Sequence, residues 1–137
     1  MVHVSIHWPD NKADDIRLWA FAVKHAAWLY NRLQQKALGY RSPLEVFTKT
    51  KSDHCELLRT HVWGCPVFVL DPKLQDRKKL PKFNRRARMG QFVGFSDEHS
   101  LLVTKVCNLS TNFISPQFHV IFDDKFTTIQ YCFNNGN

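Results

Sequence analysis

Apolar residues recur at positions 16, 19, 23, 26, 30 and 33, a three-and-four spacing that predicts a helix over 16–33. Asp14 and Asp15 stand just before it, where free backbone N–H groups and the helix dipole favour carboxylates. The opposite side is also largely apolar, with Leu18, Phe21, Ala22, Trp28 and Leu29; only Arg17, Lys24, His25, Asn31 and Arg32 are clearly polar. A helix apolar on most of its circumference needs burial on several sides. The fifteen residues before it, loop-like around His7-Trp8-Pro9-Asp10, offer too little cover. The expectation is a helix that packs on polypeptide beyond this chain, either the rest of a larger protein or a partner.

After a loop at Gly39, Ser42-Pro43-Leu44-Glu45 forms a capping box with proline at the first helical position, so a short helix runs to about Thr48. Residues 52–59 add another turn or two, and these pieces read as a connector. From Val62 the pattern shifts to short runs rich in β-branched and aromatic residues. Runs 66–70, 90–95, 101–108 and 113–122 read as strands, separated by turns at 71–72, 96–100 and 110–112. Their spacing predicts a small antiparallel barrel of roughly five strands. The chain from Tyr131 onward reads as a flexible tail.

A length of 137 residues allows one domain, or a small domain with a piece of another. The 44% apolar content, with 11 Phe and 4 Trp, supports a folded core, while 5 Gly and 6 Pro exclude a fibrous chain. No stretch has the length and apolarity of a membrane span, and the first eight residues lack signal-peptide features. The expectation is an intracellular protein without a membrane partner.

Charge sharpens the picture. Run 73–88 holds eight basic residues, Lys73, Arg77, Lys78, Lys79, Lys82, Arg85, Arg86 and Arg88, against one acid, Asp76. That local excess equals the net +7 of the whole chain, so the remaining residues sum to zero. A field concentrated in one segment, placed between the first and second strands, points to an anionic partner; the plain alternative is a solvated loop that confers solubility. Phe83 lies inside the run. It either stacks on an unpaired base or, in the commoner role for such a residue, anchors the loop to the barrel.

The four cysteines show no C-x-x-C pair and read as reduced thiols. His54, Cys55, His61 and Cys65 are the nearest thing to a metal cluster, but their spacing matches no structural zinc pattern. Asp123 and Asp124 are adjacent acids at a strand end; strand neighbours point to opposite faces, so they make a poor metal clamp. His119 reads as a half-buried, hydrogen-bonded strand histidine. No nucleophile or phosphate loop stands in a recognisable context, Gly90 and Gly94 being isolated strand glycines. Catalysis by this chain alone is not expected, and no cofactor is assigned to it.

Three blocks in series resemble one family. They are Trp19-x-x-Ala22-x-x-x-Ala26 with Tyr30-Asn31-Arg32 and Ser42-Pro43-Leu44-Glu45; His61-Val62-Trp63-Gly64-Cys65-Pro66-Val67-Phe68-Val69; and Gly90-Gln91-Phe92-Val93-Gly94-Phe95-Ser96 with Asn108-Leu109-Ser110-Thr111 and Ile114-Ser115-Pro116-Gln117-Phe118-His119-Val120-Ile121-Phe122-Asp123. In this order they resemble the integrase region of copia-type LTR-retrotransposon Pol polyproteins, over positions 6–128. The resemblance implies an α+β chain. Residues 1–58 would be the last helix and connector of an RNase H-like integrase core, 59–130 a small SH3-like barrel, and 131–137 a tail. It also implies that the Asp, Asp, Glu triad and its divalent metal, Mg2+ in the full core, belong to residues upstream of this chain. The zinc motif of that family lies upstream as well.

The function expected from this resemblance is non-catalytic. The eight basic residues would hold DNA without reading its sequence, in support of integration. The partners would be DNA, the rest of the integrase core and a second copy of the chain, in the nucleus and cytoplasm. Lys78-Lys79 with Arg85-Arg86 also resembles a bipartite nuclear-import signal. Three alternatives stay open: oligomerisation, recruitment of a chromatin factor, or an inactive retroelement relic.

Overall fold

A computed structural model describes Trp8 and residues 16–76, 79, 81–99 and 103–129. The helix start at Asp14 and Asp15, the tail 131–137, the beginning of run 101–108, and Arg77 and Lys78 lie outside the described residues. The chain is a mixture of helices and one five-stranded antiparallel sheet.

A 3-10 turn, Ile16–Leu18, leads into α1, Trp19–Arg32. The capping box forms as expected and starts α2, Pro43–Thr48: the Glu45 N–H donates to Ser42 Oγ at 3.2 Å, and the Ser42 N–H donates to the Glu45 carboxylate at 2.8 Å. Another 3-10 turn, Cys55–Arg59, ends the connector. The strands follow: β1, Pro66–Leu70; β2, Ala87–Phe95; β3, Thr104–Asn108; β4, Ile114–Gln117; and β5, Val120–Phe122. A short helix, α3, Pro72–Gln75, stands between β1 and β2, where the sequence pattern reads as a turn at 71–72 and then a long loop from residue 73.

The sheet order is β4-β3-β2-β1-β5. Run 113–122, expected as one strand, breaks at the bend Phe118–His119, and its halves join opposite edges: β4 pairs with β3, and β5 with β1. That connection dictates the shape of the sheet. Four inter-strand gaps of about 4.8 Å would hold the edges of a flat sheet about 19 Å apart. The three residue steps from Gln117 to Val120 reach at most about 11 Å. The sheet must therefore curl, and β2 shows how. Its first half pairs with β1 and its second half with β3, with a register shift between Phe92 and Gly94. Gly94 sits there at φ +127°, a conformation that glycine tolerates. Gly90 serves packing, since a Cβ would lie 2.5 Å from Val106 Cγ1. The sheet is not closed: no strand pairing joins β4 to β5.

Two clusters fill the molecule. Trp8, Cys65, Val67, Val69, Phe92, Val106, Phe126 and Ile129 form the larger. Trp8 also donates from Nε1 to the Gly64 carbonyl at 2.9 Å, so this residue of the loop-like N-terminal stretch is a core residue. The smaller cluster sets Leu18 against Val93 and Cys107, with Phe21, Trp63 and Ile114 around it. Phe92 and Val93 are chain neighbours that enter different clusters, and α1 reaches both: Phe21 packs on the smaller cluster, and the His25 ring lies 5.4 Å from that of Phe92, centroid to centroid.

The side of α1 that packs is not the stripe that defines its periodicity. Leu18, Phe21, His25 and Trp28 meet the sheet, whereas Trp19, Val23, Tyr30 and Leu33 are each at least half exposed. The apolar stripe at 19, 23, 30 and 33 therefore lies on the side turned away from the sheet.

Candidate nucleic-acid interface

The basic run leaves the sheet at the end of β1 and returns at the start of β2. Two bonds build its base. Asp71 accepts the Lys73 N–H at 2.8 Å through its carboxylate, capping α3, and its own N–H donates to the Arg86 carbonyl at 2.9 Å. Between these points, among the described residues, the Asn84 N–H bonds the Pro81 carbonyl at 3.1 Å and closes a turn.

Six of the eight expected site residues are described. Lys73 sits in α3, and Lys79, Lys82, Arg85 and Arg86 lie in the loop. Arg88 is a correction: it belongs to β2, opposite Val69, because the ladder continues three residues before Gly90, to the Leu70–Ala87 pair. All six side chains are exposed, and none forms an ion pair among the described residues. Several cations elsewhere are neutralised. Lys24 and Lys105 both approach Asp97, and Arg32 pairs with Glu56 while lying 4.1 Å over the Trp28 ring. Free, solvated cations on one excursion of the chain are available to an outside anion without breaking any internal contact.

Phe83 does not anchor the loop. Its side chain is 100% exposed, in the turn set by Pro81 and Asn84. At the stem, a hollow of about 280 Å3 opens among Phe68, Leu70, Ala87, His119, Val120 and Ile121.

The other candidate residues disperse. His54 faces Gln34 and Glu45, at 3.2 and 3.6 Å, and Cys55 is exposed. Cys65 is buried in the larger core, where desolvation and then the charge of Asp124 push its thiol far above the ordinary range. His61 stacks on Phe122 and hydrogen-bonds Asp124 at 2.9 Å. Among the described residues, no three His, Cys, Asp or Glu side chains are grouped to hold a metal ion. Asp123 and Asp124 do diverge: Asp123 bonds Thr127 and Thr128, while Asp124 also accepts the Val62 N–H at 2.8 Å. Burial raises the Asp123 pKa, but the bonds from Thr128 and Thr127 outweigh it and leave the carboxyl below its usual range. His119 is corrected from a half-buried strand residue to an exposed one in the bend, because the chain there is crossing between sheet edges.

A second cavity, about 250 Å3, lies between α1 and β2. Trp28 and Phe95 pack on each other there with ring centroids 5.1 Å apart, and its charged residues have partners, Lys24 and Lys105 at Asp97 and Arg32 at Glu56. His25 lies behind these rings, 5% exposed, with neither ring nitrogen hydrogen-bonded. Desolvation lowers its pKa from 6.5, against a smaller opposing effect of the His61 backbone. Among the described residues, no helix is long and apolar enough to cross a membrane. Comparison with protein-family models, curated proteins and solved structures finds no match to this chain.

Proposed function

We propose that this chain is a non-catalytic, DNA-holding segment: the carboxy-terminal part of a copia-type retrotransposon integrase, with an SH3-like barrel behind the last helix of an RNase H-like core. The observation that carries the reading is a set of six exposed cations without ion pairs among the described residues: Lys73, Lys79, Lys82, Arg85 and Arg86 on one excursion from a curled sheet, and Arg88 where the chain re-enters it in β2. Arginine forks and lysine point charges replace the counterions of a phosphate backbone, so binding is sequence-tolerant and salt-sensitive. The fold supports the same reading, since a four-strand meander whose fifth strand returns beside the first, through a two-residue bend, suits a small barrel. Metal-dependent strand transfer lies with the rest of the core, which Trp19, Val23, Tyr30 and Leu33 would meet.

That exposed face also favours a second reading, a module for assembly or for recruiting a chromatin factor. Replacing Arg85, Arg86 and Arg88 together by glutamate separates the two. The DNA-holding reading expects DNA affinity to collapse while assembly persists. Assembly lost with DNA binding retained supports the module.

A further inference from the structure

We infer that Phe83 is a stacking surface for one unpaired DNA base, so that the loop favours DNA carrying a single-stranded end over a blunt duplex. This inference rests on the DNA-holding reading and adds the form of the DNA. A scattered exposed apolar residue needs no explanation, but Phe83 is not scattered. It is fully exposed, it makes no ring contact with another described residue, and it sits in a turn fixed by the Pro81–Asn84 bond. Pro81 fixes its own φ and, with the Asn84 bond, shapes the backbone of the turn that carries the ring. Lys82 precedes it, and Arg85 and Arg86 follow within three residues, all without ion pairs among the described residues.

Charge complementarity selects the occupant. The flanking cations seat phosphates on both sides of the ring, and the ring supplies what a phosphate contact lacks, an apolar planar face. Bases inside a duplex have both faces covered by their neighbours, whereas an unpaired base offers one. Backbone cations with an interleaved aromatic are the arrangement that binds single strands without reading their sequence.

The test uses the full chain and three labelled probes: a blunt duplex, the same duplex with a short single-stranded overhang, and vesicles rich in anionic lipid. The expected result is tighter binding of the overhang than of the blunt duplex. Phe83→Ala should weaken overhang binding about 5- to 150-fold and leave blunt-duplex binding within about twofold. Phe83→Trp should restore the preference, and Phe83→Leu, apolar but without a π face, should not. Equal affinity for both duplexes, or a Phe83→Ala loss shared equally by them, overturns the inference while leaving the DNA-holding reading intact. Phe83-dependent binding to vesicles without an overhang preference makes the loop a membrane contact and also overturns it. No binding to either DNA overturns both readings.

Discussion

The Asp71 N–H donates to the Arg86 carbonyl at 2.9 Å, and this bond ties the basic loop shut where β1 ends and β2 begins. Because it is a backbone bond, it survives substitution of Asp71, but the cap that the same residue provides for α3 does not. Asp71→Ala should lower the unfolding free energy by about 1 kcal/mol, whereas Asp71→Asn, which also caps, should cost a few tenths. Equilibrium urea unfolding of the two variants measures the difference.

Leu18 and Trp19 are neighbours with opposite fates. Leu18 is 5% exposed against Val93 and Cys107, and Trp19 is 56% exposed. Leu18→Ala should cost about 2–5 kcal/mol in urea unfolding. Trp19→Ala, although it removes a larger side chain, should stay within about 0.5 kcal/mol. A larger cost at Trp19 than at Leu18 would mean that α1 packs with its other side inward.

The connector depends on Ser42, a buried N-cap whose hydroxyl accepts the Glu45 N–H. Ser42→Ala should remove about 0.5–2 kcal/mol. Glu45 adds a pH dependence. Hydrogen bonds from the backbone N–H groups of Ser42 and Ser52 hold its carboxyl below the usual value of 4.5. Its contribution is full above that value and is lost as pH falls through the lower folded-state pKa. Glu45→Gln should flatten the stability profile on the acid side of pH 4.5, measured by urea midpoints.

His25 acts in the neighbouring pH range. Its lowered pKa means that the unfolded chain takes up a proton near pH 6.5 that the folded chain refuses. Stability should therefore be constant well above pH 6.5 and decline as pH falls below it, until the folded-state pKa is passed. In His25→Leu that part of the decline should disappear. Urea midpoints from pH 8 to pH 5 in both proteins check it.

The sequence pattern and the fold agree wherever a local signal is sufficient. Ser42, Pro43 and Glu45 announce α2 because capping is a contact over three residues. Run 66–70 matches β1 because β-branched residues are bounded by the Asp71-Pro72 signal. Agreement fails where the outcome depends on distant parts of the chain. Phe118-His119 carries no turn chemistry, and only pairing at two far edges of the sheet reveals the bend. Periodicity shows that α1 has an apolar stripe at 19, 23, 30 and 33, but with Leu18, Phe21 and Trp28 on the other side it cannot say which side goes inward. For the basic loop, composition locates the charge. That the described cations of this loop form no ion pair with another described residue, and that Phe83 is bare, is read from the structure and not from composition.

DNA held by its phosphates leaves a signature in the salt dependence of binding. The most direct measurement is the equilibrium affinity of the full chain for duplex DNA across a salt series, repeated with Arg85, Arg86 and Arg88 changed to glutamine. Log K should fall linearly with log salt concentration, with a slope of about −0.9 for each phosphate neutralised. The triple variant should bind more weakly, and its slope should be shallower by about 1 for each cation removed. Undetectable binding at low salt, or an affinity indifferent to salt and to these three residues, would contradict it.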